Sequence, residues 1–229
     1  MIVAAGGDLP PGDSSSAATW PVLFEDLVAG IVHSMNNSLT VLGVSLELAA
    51  QDDTPSDTAV LRNELTQLTS LIALTSSLSS RSIRHEALEL HSVLDLAVTI
   101  HALNSTTRSV PCAVHVTGVV PPVRVSRSVL LRALLLIIDG AKRAHGGDRD
   151  GRAVAIEIRG DAESVVIRAP SGTTLSPDAV ALATSCGGAL IAQDGWALFT
   201  LPSLASVRRA RRTDEPLRDG AMPTHAMGS

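Results

Sequence analysis

The chain has almost no aromatic surface. Its 229 residues include no tyrosine, two phenylalanines and two tryptophans, so aromatics make up only 2% of it. A core short of rings has to be built mainly from aliphatic side chains. Charge of one sign is lacking too: 18 lysines and arginines against 23 aspartates and glutamates give a formal net charge of -5. That mild acidity argues against nucleic-acid and membrane-surface partners. Cys112 and Cys186 are the two cysteines, 74 positions apart and outside any CxxC spacing. They read as reduced, small apolar residues, not as a disulfide or a metal site. Met1 to Ala5 is apolar, but Gly6, Gly7, Asp8 and a double proline break it before a signal-peptide core forms. With every longer apolar run explicable as amphipathic, the expectation is a cytoplasmic chain with no membrane span.

What is present is aliphatic. Hydrophobic residues make up 45% of the sequence, enough for one or two domains with a core of Leu, Val, Ile and Ala. Pro21 to Ala50 places Phe24, Leu27, Ile31, Met35, Leu39, Leu42, Leu46 and Ala49 at spacings of three and four. That spacing predicts a helix of roughly 43 Å with one continuous apolar stripe. Thr19 is its candidate cap, with Pro21 in the first turn. QDDTPSDT over residues 51–58 reads as a loop, and Leu61, Leu65, Leu68, Ile72 and Leu78 mark a second helix. Two antiparallel helices cannot bury both stripes alone. Dimerisation into a four-helix bundle solves this, as does packing the hairpin on a second domain of its own chain.

Beyond residue 80 the pattern becomes mixed. AVHVTG, VAIEIRG, ESVVIRAP and WALFTLPS have strand character, while SVLDLAVTIHAL, VLLRALLLIIDGAKRA and SPDAVALATSCG are helix-like. Strands with helices over one face predict an α/β sandwich. The expected organisation is a flexible leader over 1–20, a helical hairpin over 21–80, an α/β domain over 81–204 and a disordered tail over 205–229. The tail includes the basic run Arg208, Arg209, Arg211 and Arg212, countered at once by acidic residues and a proline. HGGDRDG, residues 145–151, reads as a polar connection.

Within the first helix, Gly30, His33, Ser34 and Asn37 fall on one polar, lightly filled face. The string IVHSMNNSLTVLGVSLELA resembles the phosphoacceptor helix of two-component sensor histidine kinases, whose motif in one branch reads His-Asp-Phe-Asn-Asn-x-Leu-Thr. The resemblance sets His33 on the phosphorylated histidine, Asn36 and Asn37 on the paired asparagines, and Leu39, Thr40 and Gly43 on positions that follow. Ser34 departs from it, standing where those kinases carry an acidic residue thought to take up the proton during autophosphorylation. A serine hydroxyl lacks that basicity, which counts against a self-phosphorylating enzyme. Asn37 matches the amide that orients water for dephosphorylation of the partner.

The resemblance extends over about residues 21 to 202 and implies that the second domain is a degenerate form of the kinase ATP-binding domain. In it PPVRVSRSVLLRALLLIIDGAKRA is the nucleotide-site helix. Asp139 falls on the magnesium-binding asparagine, with Gly140, Lys142 and Arg143 following, yet a lone helix aspartate reads as a surface or capping group. Pro170 falls on the adenine-reading aspartate and has no side-chain acceptor to offer. Only nine residues, Asp178 to Cys186, separate Pro177 from Gly187. They leave room for a short helix but none for an ATP lid, so Gly187 and Gly188 read as a tight turn into the last strand.

The fold class expected is therefore α+β: an antiparallel hairpin that forms a four-helix bundle as a dimer, followed by a degenerate kinase-type α/β sandwich. The function expected is histidine phosphotransfer between response-regulator receiver domains through His33, with Asn37 beside it. No cofactor is expected to bind stably, and magnesium would come with the receiver domain's own acidic pocket. A nonenzymatic module that binds receiver domains is the second reading, and a response-regulator phosphatase using Asn37 the third.

Overall fold

The computed structural model describes residues 19–52, 58–104, 106–107, 109–145, 152–172 and 174–214, with backbone alone for 51–52 and 211–214. Calls made on the leader up to residue 18, on the interhelical residues 53–57, on 146–151 and on the tail after 214 lie outside the described residues.

Two long helices open the chain, α1 (Trp20–Asp52) and α2 (Thr58–Ser79). The Leu23 amide donates to the Thr19 carbonyl at 3.1 Å, the first helical bond expected of a residue in the capping position. The α/β part follows as β1 (His85–Leu88), α3 (Leu90–His101), β2 (Cys112–Thr117), β3 (Val123–Ser126), α4 (Arg127–His145), β4 (Val154–Gly160), β5 (Ser164–Pro170), α5 (Pro177–Ser185), β6 (Ala189–Gln193), β7 (Trp196–Pro202) and α6 (Leu204–Asp214). A helical hairpin thus precedes a mixed α/β sandwich, as the hydrophobic periodicity predicts.

The main sheet has the order β2-β4-β5-β7-β6, with β2 parallel to β4 and every other pair antiparallel. β1 and β3 form a small antiparallel ribbon near the foot of the hairpin, with His85 opposite Ser126. Inward residues of β4 and β5, among them Ile156, Ile158, Val165 and Ile167, are fully or almost fully buried. α4 covers them, and its residues from Leu130 to Ile138, Arg132 apart, are almost entirely buried. The near-continuous apolar run of α4 is that of a helix enclosed on most sides.

Three corrections follow. Residues 121–126, read as the start of the α4 helix, lie outside it, and Val123–Ser126 form β3, which finds its hydrogen bonds on β1 rather than on the next helical turn. The terminal strand is a hairpin of two, β6 and β7, turning at Asp194 and Gly195 with φ of 50° and 78°; positive φ at both central residues is what a tight hairpin turn demands. Residues from 205 onward do not begin an unstructured tail, because α6 continues to Asp214. Val207 donates to the Ser203 carbonyl, and Arg209 pairs with Glu163.

The expected turn at residues 187–188 is present. Gly187 has φ of 73° as α5 ends, and a Cβ on Gly188 would lie 2.3 Å from the Thr200 carbonyl oxygen. Only glycine permits both conformation and approach. Cys112 and Cys186 are free thiols. Burial pushes the Cys186 thiol up to about 12, and it raises that of Cys112 against the opposing charge of Lys142. Neither is poised as a thiolate.

Candidate functional site

His33 is exposed on α1, and the Nδ2 of Asn37, one turn later, lies 3.3 Å from its Nε2. The amide nitrogen can only donate, so this contact is a hydrogen bond in the tautomer that carries its ring proton on Nδ1. Asn36 is exposed, and its carbonyl accepts from the Thr40 hydroxyl at 2.9 Å. Ser34 is half-buried on the neighbouring side of the helix. The predicted face is therefore real for His33 and Asn37. Its emptiness is not: Gly30 is buried, and a Cβ there would stand 1.8 Å from the Leu103 carbonyl oxygen. The space left by the missing side chain is filled by the backbone that leaves α3.

That contact belongs to a larger junction. Leu23, Leu27 and Ile31 are essentially inaccessible and belong to the same core cluster as α3 and α4, each contributing about 2 kcal/mol relative to exposure. The Trp20 amide donates to Asp178 Oδ2 at 2.7 Å, and the Arg132 guanidinium lies 5.4 Å from the Trp20 ring centre. Arg132 also donates to the Ser80 carbonyl at 2.8 Å. The first three turns of α1 are thus part of the second domain's core, and His33 lies just beyond the last of them. By length and composition Trp20–Ala50 is also apolar enough to cross a membrane; among the described residues it is the one helix that is.

Sequence reasoning missed the buried polar group beneath this junction. Asp139 is 1% exposed, not the surface or capping residue expected. Its Oδ2 accepts from Arg143 Nε at 2.7 Å. Its Oδ1 is 3.4 Å from Nε2 of the fully buried His101, a close approach that lacks hydrogen-bond geometry. Burial alone would push the Asp139 carboxyl up, but His101 and Arg143 together outweigh it and hold the group below its usual range. Arg143 four residues on was legible as a helical partner; His101, on another helix, was not.

The residues at the expected nucleotide position do not fit a nucleotide with its metal. Both oxygens of Asp139 face cationic or ionisable partners within the protein. The cleft between α4 and the segment after β5 has a volume of about 120 Å³ and is lined by Ile137, Gly140, Pro170, Gly172 and Leu175; small-molecule sites usually take roughly 300–1,000 Å³. α5 fills the whole interval from Pro177 to Ser185. Titration calorimetry with magnesium and ATP is expected to give no saturable heat in the micromolar range, whereas micromolar binding with phosphorylation of His33 would restore an autokinase.

No known family's sequence pattern matches the chain, and no curated protein does. Solved structures of similar arrangement include the histidine kinase AdeS of Acinetobacter baumannii, 14% identical, covering 75% of this chain and 96% of that one with a TM-score of 0.40. The histidine kinase ThkA in complex with the response regulator TrrA is 12% identical over 84% of this chain and 66% of that one, with a TM-score of 0.44. A bacterial phosphotransferase is 13% identical over 80% and 97%, at 0.39. Likeness at this level does not say what the chain does. Its chemistry has to be argued from its own residues.

Proposed function

We propose that the chain is a histidine phosphotransferase that carries phosphoryl groups between receiver domains of response regulators. The observation that carries this reading is an exposed imidazole, His33, whose Nε2 has the exposed amide of Asn37 as its hydrogen-bond partner at 3.3 Å. Rotation of that exposed amide uncovers the ring lone pair at little cost. Nε2 then attacks the phosphorus of an aspartyl phosphate on one receiver domain: an N–P bond forms, the P–O bond to the aspartate breaks, and the carboxylate leaves with the electron pair. Attack by an aspartate of a second receiver domain reverses the step and returns a neutral imidazole. Magnesium, held in the receiver's acidic pocket, would offset charge on the moving phosphoryl group. Autophosphorylation is not part of the proposal, because Ser34 supplies no base and the nucleotide position does not fit ATP. The reading sets the chain in the cytoplasm with its receiver partners.

The test is a panel of receiver domains, each phosphorylated with labelled phosphoryl groups and mixed with the chain. Acid-labile, base-stable label on this protein is expected for at least one. Tight binding without label would instead favour a nonenzymatic receiver-binding module, and loss of receiver label as free phosphate would favour a phosphatase in which Asn37 orients the water.

The same proposal includes a homodimer. Leu39 and Leu46 on α1 are 53% and 57% exposed, and Leu65 and Ile72 on α2 are 57% and 55% exposed. Each pair is spaced by seven residues, so each helix presents a stripe beyond what the hairpin buries. A second copy meeting these stripes about a two-fold axis closes a four-helix bundle and leaves His33 outside it. Light scattering of the full chain is expected to give twice the monomer mass at micromolar concentration, and Leu39→Glu with Ile72→Glu is expected to halve it. A parent that is monomeric with intact helical signal removes the dimer from the proposal.

A further inference from the structure

α1 is joined to the second domain by a charged link as well as by its apolar residues. Arg143 Nε donates to Asp139 Oδ2 at 2.7 Å, while its Nη2 stands 3.9 Å from Asp26 Oδ2. Asp26 and His33 are seven residues apart on α1, two turns and about 10.5 Å along one face. The guanidinium therefore ties a buried carboxylate on α4 to a half-buried carboxylate directly below the candidate nucleophile.

The two ends of the link differ. Asp139 is 1% exposed and is flanked on its other side by His101 at the end of α3, so it fixes where the guanidinium lies. Asp26 and Arg143 are 34% and 31% exposed; an ion pair of that exposure contributes little to stability. What it supplies is geometry, because a planar fork held at one edge by Asp139 leaves its other edge in one place. Gly30, one turn above Asp26, rests on the Leu103 carbonyl just beyond His101. α1, α3 and α4 thus meet around one charged link immediately beneath His33.

We propose that Arg143 is a positioning residue: by bridging Asp139 to Asp26 it fixes the His33-bearing helix on the second domain, so that an incoming receiver domain meets hairpin and second domain as one rigid body. The inference rests on the phosphotransfer reading for its functional consequence, but its structural half stands on this contact alone. It gives Asp139 and Arg143 a use that involves neither nucleotide nor metal. Lysine at 143 would keep the charge but cannot meet both carboxylates with a fork. Asparagine at 26 removes the charge while leaving Asp139 paired.

The test labels Glu47→Cys and Thr117→Cys with spin probes in a background lacking Cys112 and Cys186, diluted with unlabelled chain so that only distances within one copy are read. The parent is expected to give one narrow distance distribution. Asp26→Asn and Arg143→Lys are each expected to broaden it, and the double variant to broaden it no further than either single one. For transfer, the expected result is a roughly fivefold fall in kcat with KM for the receiver domain nearly unchanged, again without addition in the double variant. A distribution as narrow in Asp26→Asn and Arg143→Lys as in the parent overturns the proposal, as does full additivity of the two effects on kcat. Absence of any transfer by the parent overturns the phosphotransfer reading instead, while broadening in both variants still upholds the anchoring.

Discussion

His33→Gln is expected to abolish phosphoryl acceptance while leaving the helix, the dimer and receiver docking almost unchanged. Glutamine keeps a polar side chain of similar reach on an exposed helical position, so little in the packing moves. It has no nitrogen lone pair able to form an N–P bond, since the amide nitrogen is conjugated with its carbonyl. A shared phosphoryl path through His33 therefore predicts a loss of at least about a thousandfold, comparable to removal of a nucleophile in other covalent mechanisms. A structural role predicts none. Asn37→Ala should separate the remaining readings: label still arrives on His33, because the amide only caps Nε2, but hydrolysis of receiver phosphate slows if that amide also orients water. The measurement is the time course of acid-labile label on each variant mixed with one phosphorylated receiver. If His33→Gln accepts label as fast as the parent, His33 is not the relay.

The hairpin was legible because its spacings of three and four repeat over many turns, and the α/β order because its strands are short and bounded by turn residues. Features that depend on a distant partner were not. PPVRVS runs into a strong helical sequence with only Ser126 to mark the boundary, and only pairing with β1 makes Val123–Ser126 a strand. ALIAQ was different, because Asp194 and Gly195 are a recognised hairpin pair; the signal for β6 was present and was read as part of a single terminal element.

The candidate site divides in the same way. His33 and Asn37 are one turn apart, so helical periodicity alone brings them together. Asp139 and His101 are brought together by the packing of α3 on α4, which no local pattern records. Of the two expected solutions for the hairpin's apolar stripes, packing on the chain's own second domain is present, and dimerisation remains part of the proposal. Leu23, Leu27 and Ile31 are used by the second domain, whereas Leu39 and Leu46 remain available to another copy.

Gly30→Ala is expected to be among the most damaging single substitutions in the chain, although alanine favours helix more than glycine does. In an open helical position that exchange stabilises by up to about 1 kcal/mol. Gly140 on α4 is such a position, with nothing within 4 Å of an added Cβ, and Gly140→Ala should raise Tm slightly. At Gly30 the added Cβ falls 1.8 Å from the Leu103 carbonyl oxygen and 2.7 Å from its carbon. Both obstacles are backbone, which cannot turn aside as a flexible side chain would. Either α1 lifts from the end of α3, opening the packing of Leu27 and Ile31, or the segment after His101 shifts and disturbs the buried contact with Asp139. Forced overpacking costs about 3 kcal/mol at the upper end of its usual range, and in a domain of this size that corresponds to a fall of about 6–12 °C in Tm. Because His33 is only three residues further along α1, the displacement should also slow phosphoryl transfer even where the protein remains folded. Thermal unfolding of Gly30→Ala beside Gly140→Ala decides the matter: opposite signs support the close seating of α1 on the second domain, and equal stability of the two variants would show that Gly30 does not touch the Leu103 carbonyl in solution.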